Sequence, residues 1–475
     1  MAEKSIKRNY IYNLMYQILL LITPLITTPY LSRVLGADGI GKYSYIESIC
    51  SYFVLFATLG LTTFGQREVS YVQNDLVKRT TIFWETNIIE LIASIICCMI
   101  YIIFSLQQKD SPLYLALIFN LLAVIVNITW FFQGLEEFGK IVLRNIIFKL
   151  INIIFVFVCI KSKDDLIFYL FGTACITFLS NVSLWIEVPK YITKISISKL
   201  HPLRHMKTVI SLFVPTIAVQ VYTVLDKTMI GMITQNDFEN GYYEQAVKIS
   251  KMVMTVVTAL GTVMIPRIGF YFEKGDVKEV KRLMYRGYRF VWFLGIPLCL
   301  GLIMVSPKFV PWFFGEGYNK VSVLLGILSF LILAIGINNV TGMQYLIPTK
   351  RQNIFTLTVL IGAMINFAMN YILIERFAAI GAAIASVTAE TVIAIVQLMI
   401  VRKEINPLEV LKEGANYWIA GGIMTGVLFF IQKLVSASIM GTVALVAVGA
   451  SSYFVVLFFM KDEFLLTNLN KILRR

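Results

Sequence analysis

Asp226 and Lys227 stand side by side in QVYTVLDKTMIGMI (residues 220–233), a run that is otherwise nearly all apolar. The next apolar run carries Glu244, Lys248 and Lys251, spaced by four and then three residues. That spacing puts all three on one face of a helix. Neighbours in sequence point in different directions around a helix, so Asp226 and Lys227 each need another partner or water. At ~1.5 Å per residue, Lys227 and Lys248 fall at similar depth, roughly 10 Å below the same end of their runs. Three lysines against two acids leave an excess positive charge. The chemistry open to such a set is electrostatic capture of an anion, with each ammonium acting as a point charge toward a phosphate or diphosphate. The competing arrangement is mutual neutralisation: Glu244 with Lys248, Asp226 with Lys251, and Lys227 reaching toward the interface. Pairing alone does not need the extra cation, and ionisable groups within apolar spans usually mark a transport path. A water-filled cationic cavity is therefore expected.

Other polar residues within apolar runs are weaker signals. Glu390 is a candidate coupling-ion site, with a protonated or Asn-bonded core carboxyl as the alternative. Glu85 and Glu90 fall near one end of their run and read as solvated. Asn366 and Asn370, one turn apart, read as glue between helices. His201 and His205 sit in a loop with Pro202 between them, and no metal site is expected there. The six cysteines, Cys50, Cys97, Cys98, Cys159, Cys175 and Cys299, all fall in apolar runs and read as free, buried thiols. The outside loops are short and neither histidine lies in a span, which argues against a membrane-embedded enzyme; no catalytic set and no cofactor are expected.

These residues need helices to hold them. The chain has 475 residues, 58% hydrophobic and 15% charged, against about a quarter charged in soluble domains. Its apolar runs repeatedly reach the ~20 residues that span a bilayer as a helix. The pattern predicts an all-α polytopic membrane protein of about fourteen transmembrane helices. Lys4, Lys7 and Arg8 precede a long run without a small-residue cleavage site, which reads as a retained first span. Most of the 42 lysines and arginines fall in alternate connections. Under the positive-inside rule this places both termini in the cytoplasm. It also accounts for the net charge of +14 as a skirt facing anionic lipid, with no nucleic-acid partner. Lys149, Lys227, Lys248 and Lys251 remain within spans.

An internal repeat organises the spans. GKYSYIESI (41–49) matches GYYEQAVKI (241–249) at Gly, Tyr and the final Ile, and LSRVLG (31–36) parallels LDKTMIG (225–231), setting Arg33 opposite Lys227. Two six-helix lobes are expected, residues 1–207 and 208–402, followed by an extra helix pair and tail at 403–475. Repeated halves commonly enclose a substrate site.

The chain resembles the polysaccharide-transport (Wzx-type) oligosaccharide flippases of the MATE-like (MOP) superfamily. The resemblance rests on TPYLSRVLGADGIGKYSY (28–45), WFFQGLEEF (130–138) with Arg144 following, and LDKTMIG with GYYEQAVKI. It implies two lobes around a central cavity lined by spans 1, 2, 7 and 8. It implies transfer of an undecaprenyl-diphosphate-linked oligosaccharide from the inner to the outer leaflet of the bacterial cytoplasmic membrane by alternating access, for surface polysaccharide such as O-antigen or capsule. On this reading Lys227, Lys248, Lys251 and Arg33 attract diphosphate, Asp226 and Glu244 hold the lysines, and Tyr222, Gln220 and Gln17 contact glycan. The partners are then lipid-linked oligosaccharide, membrane lipids, and a polysaccharide polymerase and glycosyltransferases, around a monomer. Coupling to a proton or sodium gradient stays open. The rivals are a multidrug or cation antiporter of the same superfold, a peptidoglycan lipid-precursor flippase, and, from another class, a membrane-embedded polymerase or acyltransferase.

Overall fold

The computed structural model describes the backbone over residues 6–473, and the side chains from 19 to 468 except at 21, 197, 215, 218, 219, 221, 222 and 262. The described residues form helices and connections, without strands. The chain divides after Thr228 into two compact units.

The first unit begins with α1 (Ile6–Thr58), α2 (Leu61–Tyr71) and α3 (Leu76–Leu106). Short helices α4 (Ser111–Ala116), α5 (Ile118–Ile125) and α6 (Thr129–Gly134) follow, then α7 (Phe138–Cys159) and α8 (Leu166–Ser183). The long α1 turns at Gly36, which has φ 72° and ψ 172°, a backbone region essentially closed to residues with a Cβ. Asp75 caps α3, its side chain accepting from Lys78 N–H at 3.0 Å. The side chains show why α3 lies in a membrane. Ile92, Ile95, Ile96, Met99 and Ile103 are exposed, while Glu85, Thr86, Glu90 and Ser94 are buried. Water would impose the reverse; lipid accepts a bare hydrocarbon face.

The motif WFFQG forms α6. Trp130, Phe131 and Phe132 are fully buried and pack with Phe83 and Val69. A Cβ on Gly65 would fall 2.4 Å from the Trp130 ring, and one on Gly134 would fall 2.8 Å from the Gln66 carbonyl oxygen. Between apolar helices in lipid, packing rests on such close fit rather than on water exclusion. The motif therefore serves architecture.

Helix α9 (Met206–Thr234) contains the division between the units. The second unit continues with α10 (Asp237–Thr258), α11 (Gly261–Glu273), α12 (Val277–Phe314), α13 (Asn319–Leu328) and α14 (Phe330–Asn338). A π-helical segment, Asn339–Leu346, precedes α15 (Gln352–Phe377), α16 (Ala379–Ile400), α17 (Pro407–Leu434), α18 (Ile439–Phe459) and α19 (Glu463–Leu473). Helices α12, α17 and α18 share a core of Trp292, Ile296, Tyr417, Met424, Leu445 and Tyr453. Two buried polar tips in this core find carbonyls: Trp292 Nε1 donates to Val410 O at 2.8 Å and Tyr453 OH to Phe293 O at 2.9 Å.

Among the described residues, 11 helical stretches are long and apolar enough to cross a membrane, or up to 12 when α10 and α11, bent by 40°, are taken as one. The chain is an all-helical polytopic membrane protein. The first stretch, Ile22–Tyr71, covers 50 residues and both segments around Gly36. The cysteines carry free thiols; Cys50, Cys98 and Cys299 are buried as expected, but Cys159, at the end of α7, is exposed.

Candidate functional site

The charged residues singled out by sequence lie on α1, α9 and α10. Asn236 starts α10: its Oδ1 accepts from Phe238 N–H at 3.0 Å, and Asp237 and Glu239 occupy the positive first turn. Glu244 then falls on the buried side, Lys248 is half-buried and Lys251 is exposed. Lys248 Nζ lies 3.7 Å from Glu244 Oε1, the four-residue pairing expected of that spacing. On α9, Asp226 and Lys227 are half-buried. Next to them Thr228 is buried and shares hydrogen bonds with Ser48 at 2.9 Å and Tyr52 at 3.1 Å, tying α9 to α1. Sequence reading passed over Ser48 and Tyr52; hydroxyls are too common on helices to signal a partner in advance. Arg33 is exposed on α1, before the Gly36 turn, and Gln220 is exposed on α9. The side chains of Gln17 and Tyr222 lie outside the described residues.

Glu390, on α16, accepts a hydrogen bond from Asn338 Nδ2 at 2.5 Å. Asn370 Nδ2 donates to Asn366 Oδ1 at 3.1 Å, Asn366 Nδ2 to Ser386 Oγ at 3.4 Å, and Ser386 meets Tyr243 OH at 3.3 Å. These bonds join α10, α15 and α16, the interhelical role expected for the asparagines.

Glu85 and Glu90 correct the expectation of solvated acids. Both side chains are buried, Glu85 at 0% and Glu90 at 1% exposure. Glu85 accepts from Arg204 Nη2 at 2.6 Å, His201 N–H at 2.7 Å, and meets His205 Nε2 at 2.7 Å. His205 is thus engaged by a carboxylate of α3. The helix continues past the start of the apolar run; α3 runs Leu76–Leu106, so Glu90 lies close to its midpoint.

The second unit also carries an apolar groove of about 350 Å³. Leu298, Gly301 and Leu302 of α12, Leu428 of α17, and Gly449 and Tyr453 of α18 contribute to its walls. The arrangement can offer ammonium groups to a charged headgroup and a hydrocarbon lining to a chain. It presents no nucleophile–base pair among its described residues.

Residues 6–272 match the family described as "Polysaccharide biosynthesis protein", and residues 203–464 match "Lipid II flippase MurJ". A relative from Escherichia coli (strain K12) carrying O-antigen transporter in its name is 23% identical over 404 residues, 84% of this chain and 97% of its own length. Another, from Haloferax volcanii, carries glycan biosynthesis flippase in its name and is 22% identical over 421 residues, 86% of each chain. Among solved structures, "Lipid II flippase MurJ, inward closed conformation" has a TM-score of 0.70 at 17% identity and covers 96% of this chain and 99% of its own. An inward-facing multidrug resistance MATE transporter of the MOP superfamily has a TM-score of 0.62 at 14% identity, covering 83% and 99%. At these identities the solved structures establish the fold. Each of the two family matches spans more than half of the sequence, and the chain belongs to the polysaccharide biosynthesis protein family, sharing over its second half the pattern of the lipid II flippase MurJ family.

Proposed function

We propose that the protein is a flippase that carries a polyprenyl-diphosphate-linked oligosaccharide from the inner to the outer leaflet of the bacterial cytoplasmic membrane, for surface polysaccharide. The observation that carries this reading is the alignment of 84% and 86% of the chain with relatives named for O-antigen transport and glycan flipping. Movement needs no bond broken in the substrate, and the family and relatives point to transport rather than catalysis. In this reading fourteen spans place both termini in the cytoplasm, and the monomer alternates between inward and outward openings. Lys227, Lys248, Lys251 and Arg33 draw in the diphosphate and acidic sugar. Asp226 and Glu244 hold the lysines and exchange partners between states. Gln220, Tyr222 and Gln17 contact glycan, and Glu390 is a coupling position. The polyprenyl chain lies in hydrocarbon, for which the apolar groove on α12, α17 and α18 is chemically suited. Polymerase and glycosyltransferases act on the same lipid before and after transfer.

A second reading, a peptidoglycan-precursor flippase, is favoured by the match over residues 203–464. It shares the lipid and diphosphate and differs in the sugar. The multidrug antiporter reading fits the lysine excess poorly, since organic cations are repelled by it.

The test is rescue of a strain lacking the gene, scored by lipid-linked oligosaccharide accumulating in the inner leaflet. Lys227→Ala, Lys248→Ala and Lys251→Ala are each expected to cut export about tenfold while reaching the membrane, the scale of one lost hydrogen bond to a charged group. Full rescue by all three removes the cationic site. Rescue of peptidoglycan synthesis instead of surface glycan selects the second reading.

A further inference from the structure

Glu90 lies about 20 Å from the Leu76 end of α3, counting ~1.5 Å per residue, near the middle of a 31-residue span. Neither of its carboxyl oxygens has a hydrogen-bond partner among the described residues. The same holds for Thr86 Oγ1, Asn87 Oδ1 and Ser94 Oγ on the same helix, and for Trp130 Nε1 of α6. Residues 86, 90 and 94 follow the four-residue spacing of one helix face, with residue 87 beside them. A helical side chain leans toward the N-terminus, so the Glu90 carboxyl overlies the turn holding Thr86 and Asn87.

Among the described residues other buried polar atoms are also left without partners, but here six are gathered around one carboxyl. Thr80, Thr81, Thr173 and Thr177 each donate to the carbonyl four residues back, whereas Thr86 does not. Asn87 uses its Nδ2 on Phe83 O at 2.7 Å, which leaves Oδ1 as an acceptor only. The group therefore holds an abundance of acceptors and one fixed donor, the Trp130 indole, whose Nε1 is itself without a partner among the described residues. One further proton satisfies it: a protonated Glu90 donates its O–H to a neighbouring oxygen and accepts from the indole through its carbonyl oxygen. Buried polar groups left without partners call for such an explanation.

The charged groups of the surrounding elements are otherwise engaged or distant along the span. On α3, Glu85 is held by Arg204 and His205 of the turn Pro202–His205, and Arg79 donates to Tyr191 O at 2.6 Å. On α2, Arg67 pairs with Glu68 at 2.8 Å. On α1, Lys42 pairs with Asp110 and Asp38 with Lys163, while Arg33 precedes the Gly36 turn and Glu47 follows it. Helices α4, α5 and α6 carry no charged residue.

We propose that Glu90, framed by Thr86, Asn87, Ser94 and Trp130, is a proton-binding site of the first unit, loaded in one conformation and emptied in the other. Its use in coupling rests on the flippase reading; the site itself does not. Loading forms one O–H bond on the carboxylate, and the proton comes from water on whichever side is open.

The experiment uses the full chain reconstituted in vesicles of phosphatidylethanolamine and phosphatidylglycerol. Infrared spectra are taken between about pH 5 and 9, a range in which buried glutamates titrate. The expected result is a protonated-carboxyl band that fades as pH rises and is missing in Glu90→Gln, with carbodiimide modifying Glu90 several-fold less at the alkaline end. Thr86→Val, which removes one acceptor for the O–H, is expected to move the midpoint down by about one pH unit. It keeps the test open if Glu90→Gln fails to reach the membrane. A wild-type spectrum without a titrating buried carboxyl, together with no carbodiimide modification of Glu90, overturns the site. Flipping of a fluorescent polyprenyl-diphosphate oligosaccharide is measured in the same vesicles. A pH gradient is expected to change it several-fold in wild type and not in Glu90→Gln; an equal response in both overturns the coupling role. Absence of flipping with the Glu90 band present overturns the flippase reading and leaves the proton site standing.

Discussion

A carboxylate within a membrane helix needs donors, a counter-charge or a proton, and the two acids of α3 meet that need differently. Glu85 is clamped by Arg204, His205 and the His201 N–H. Its negative charge is the reason three polar groups of that turn converge on α3. Glu85→Gln keeps the size but leaves the guanidinium and imidazole facing a neutral amide. Arg204 is half exposed, so solvent recovers part of the loss. The expected cost is about 1–3 kcal/mol, read as a lowered unfolding temperature in detergent. An unchanged temperature would show the clamp to be idle. On α10 the Glu244–Lys248 contact is looser, at 3.7 Å.

Helices set what these side chains can reach. Gly301 on α12 lines the apolar groove, and a Cβ built there meets nothing within 4 Å. Gly301→Phe should therefore fold and fill the groove. Export is expected to fall about tenfold or more while membrane levels stay near wild type; unaltered export would mean that no chain occupies the groove. At the other end of the unit, Arg351 and Glu404 form a two-pronged pair at 3.0 and 2.9 Å, joined by Tyr345 OH at 2.5 Å. Burial works to raise the Glu404 carboxyl, but the hydrogen bonds from Arg351 and Tyr345 outweigh it and hold it below its ordinary value of 4.5. A depressed acid contributes stability that is complete above its unfolded value and is lost as pH falls through the folded one. Stability should accordingly fade below about pH 4.5, and Arg351→Met should flatten that part of the profile. A thermal-shift series against pH separates the two proteins.

For the molecule as a whole, the basic connections should face the cytoplasm and the sparse ones the outside. Gly317 sits in the connection between α12 and α13, with nothing within 4 Å of a built Cβ. Gly317→Cys, in a chain whose exposed Cys159 is replaced by Ser, is expected to react with a membrane-impermeant maleimide in intact spheroplasts. A cysteine replacing Lys274, between α11 and α12, should react only after lysis. The opposite pattern would invert the protein and overturn cytoplasmic termini.

Much of this was readable before any fold was known. Apolar length and charge alternation suffice for a polytopic helical protein, because lipid leaves the backbone few alternatives. The four-residue spacing suffices for Glu244 beside Lys248, because a helix brings those positions together. Trp130–Phe132 and Glu90 were not readable in the same way. A motif of aromatics looks alike in a binding site and in a core, and here α2 closes on it through Gly65. A glutamate near the end of an apolar run looks solvated until neighbouring helices bury it and withhold their donors. Periodicity and hydropathy are local and survive in one dimension; burial and polar satisfaction depend on which distant segments arrive, and those are settled by packing.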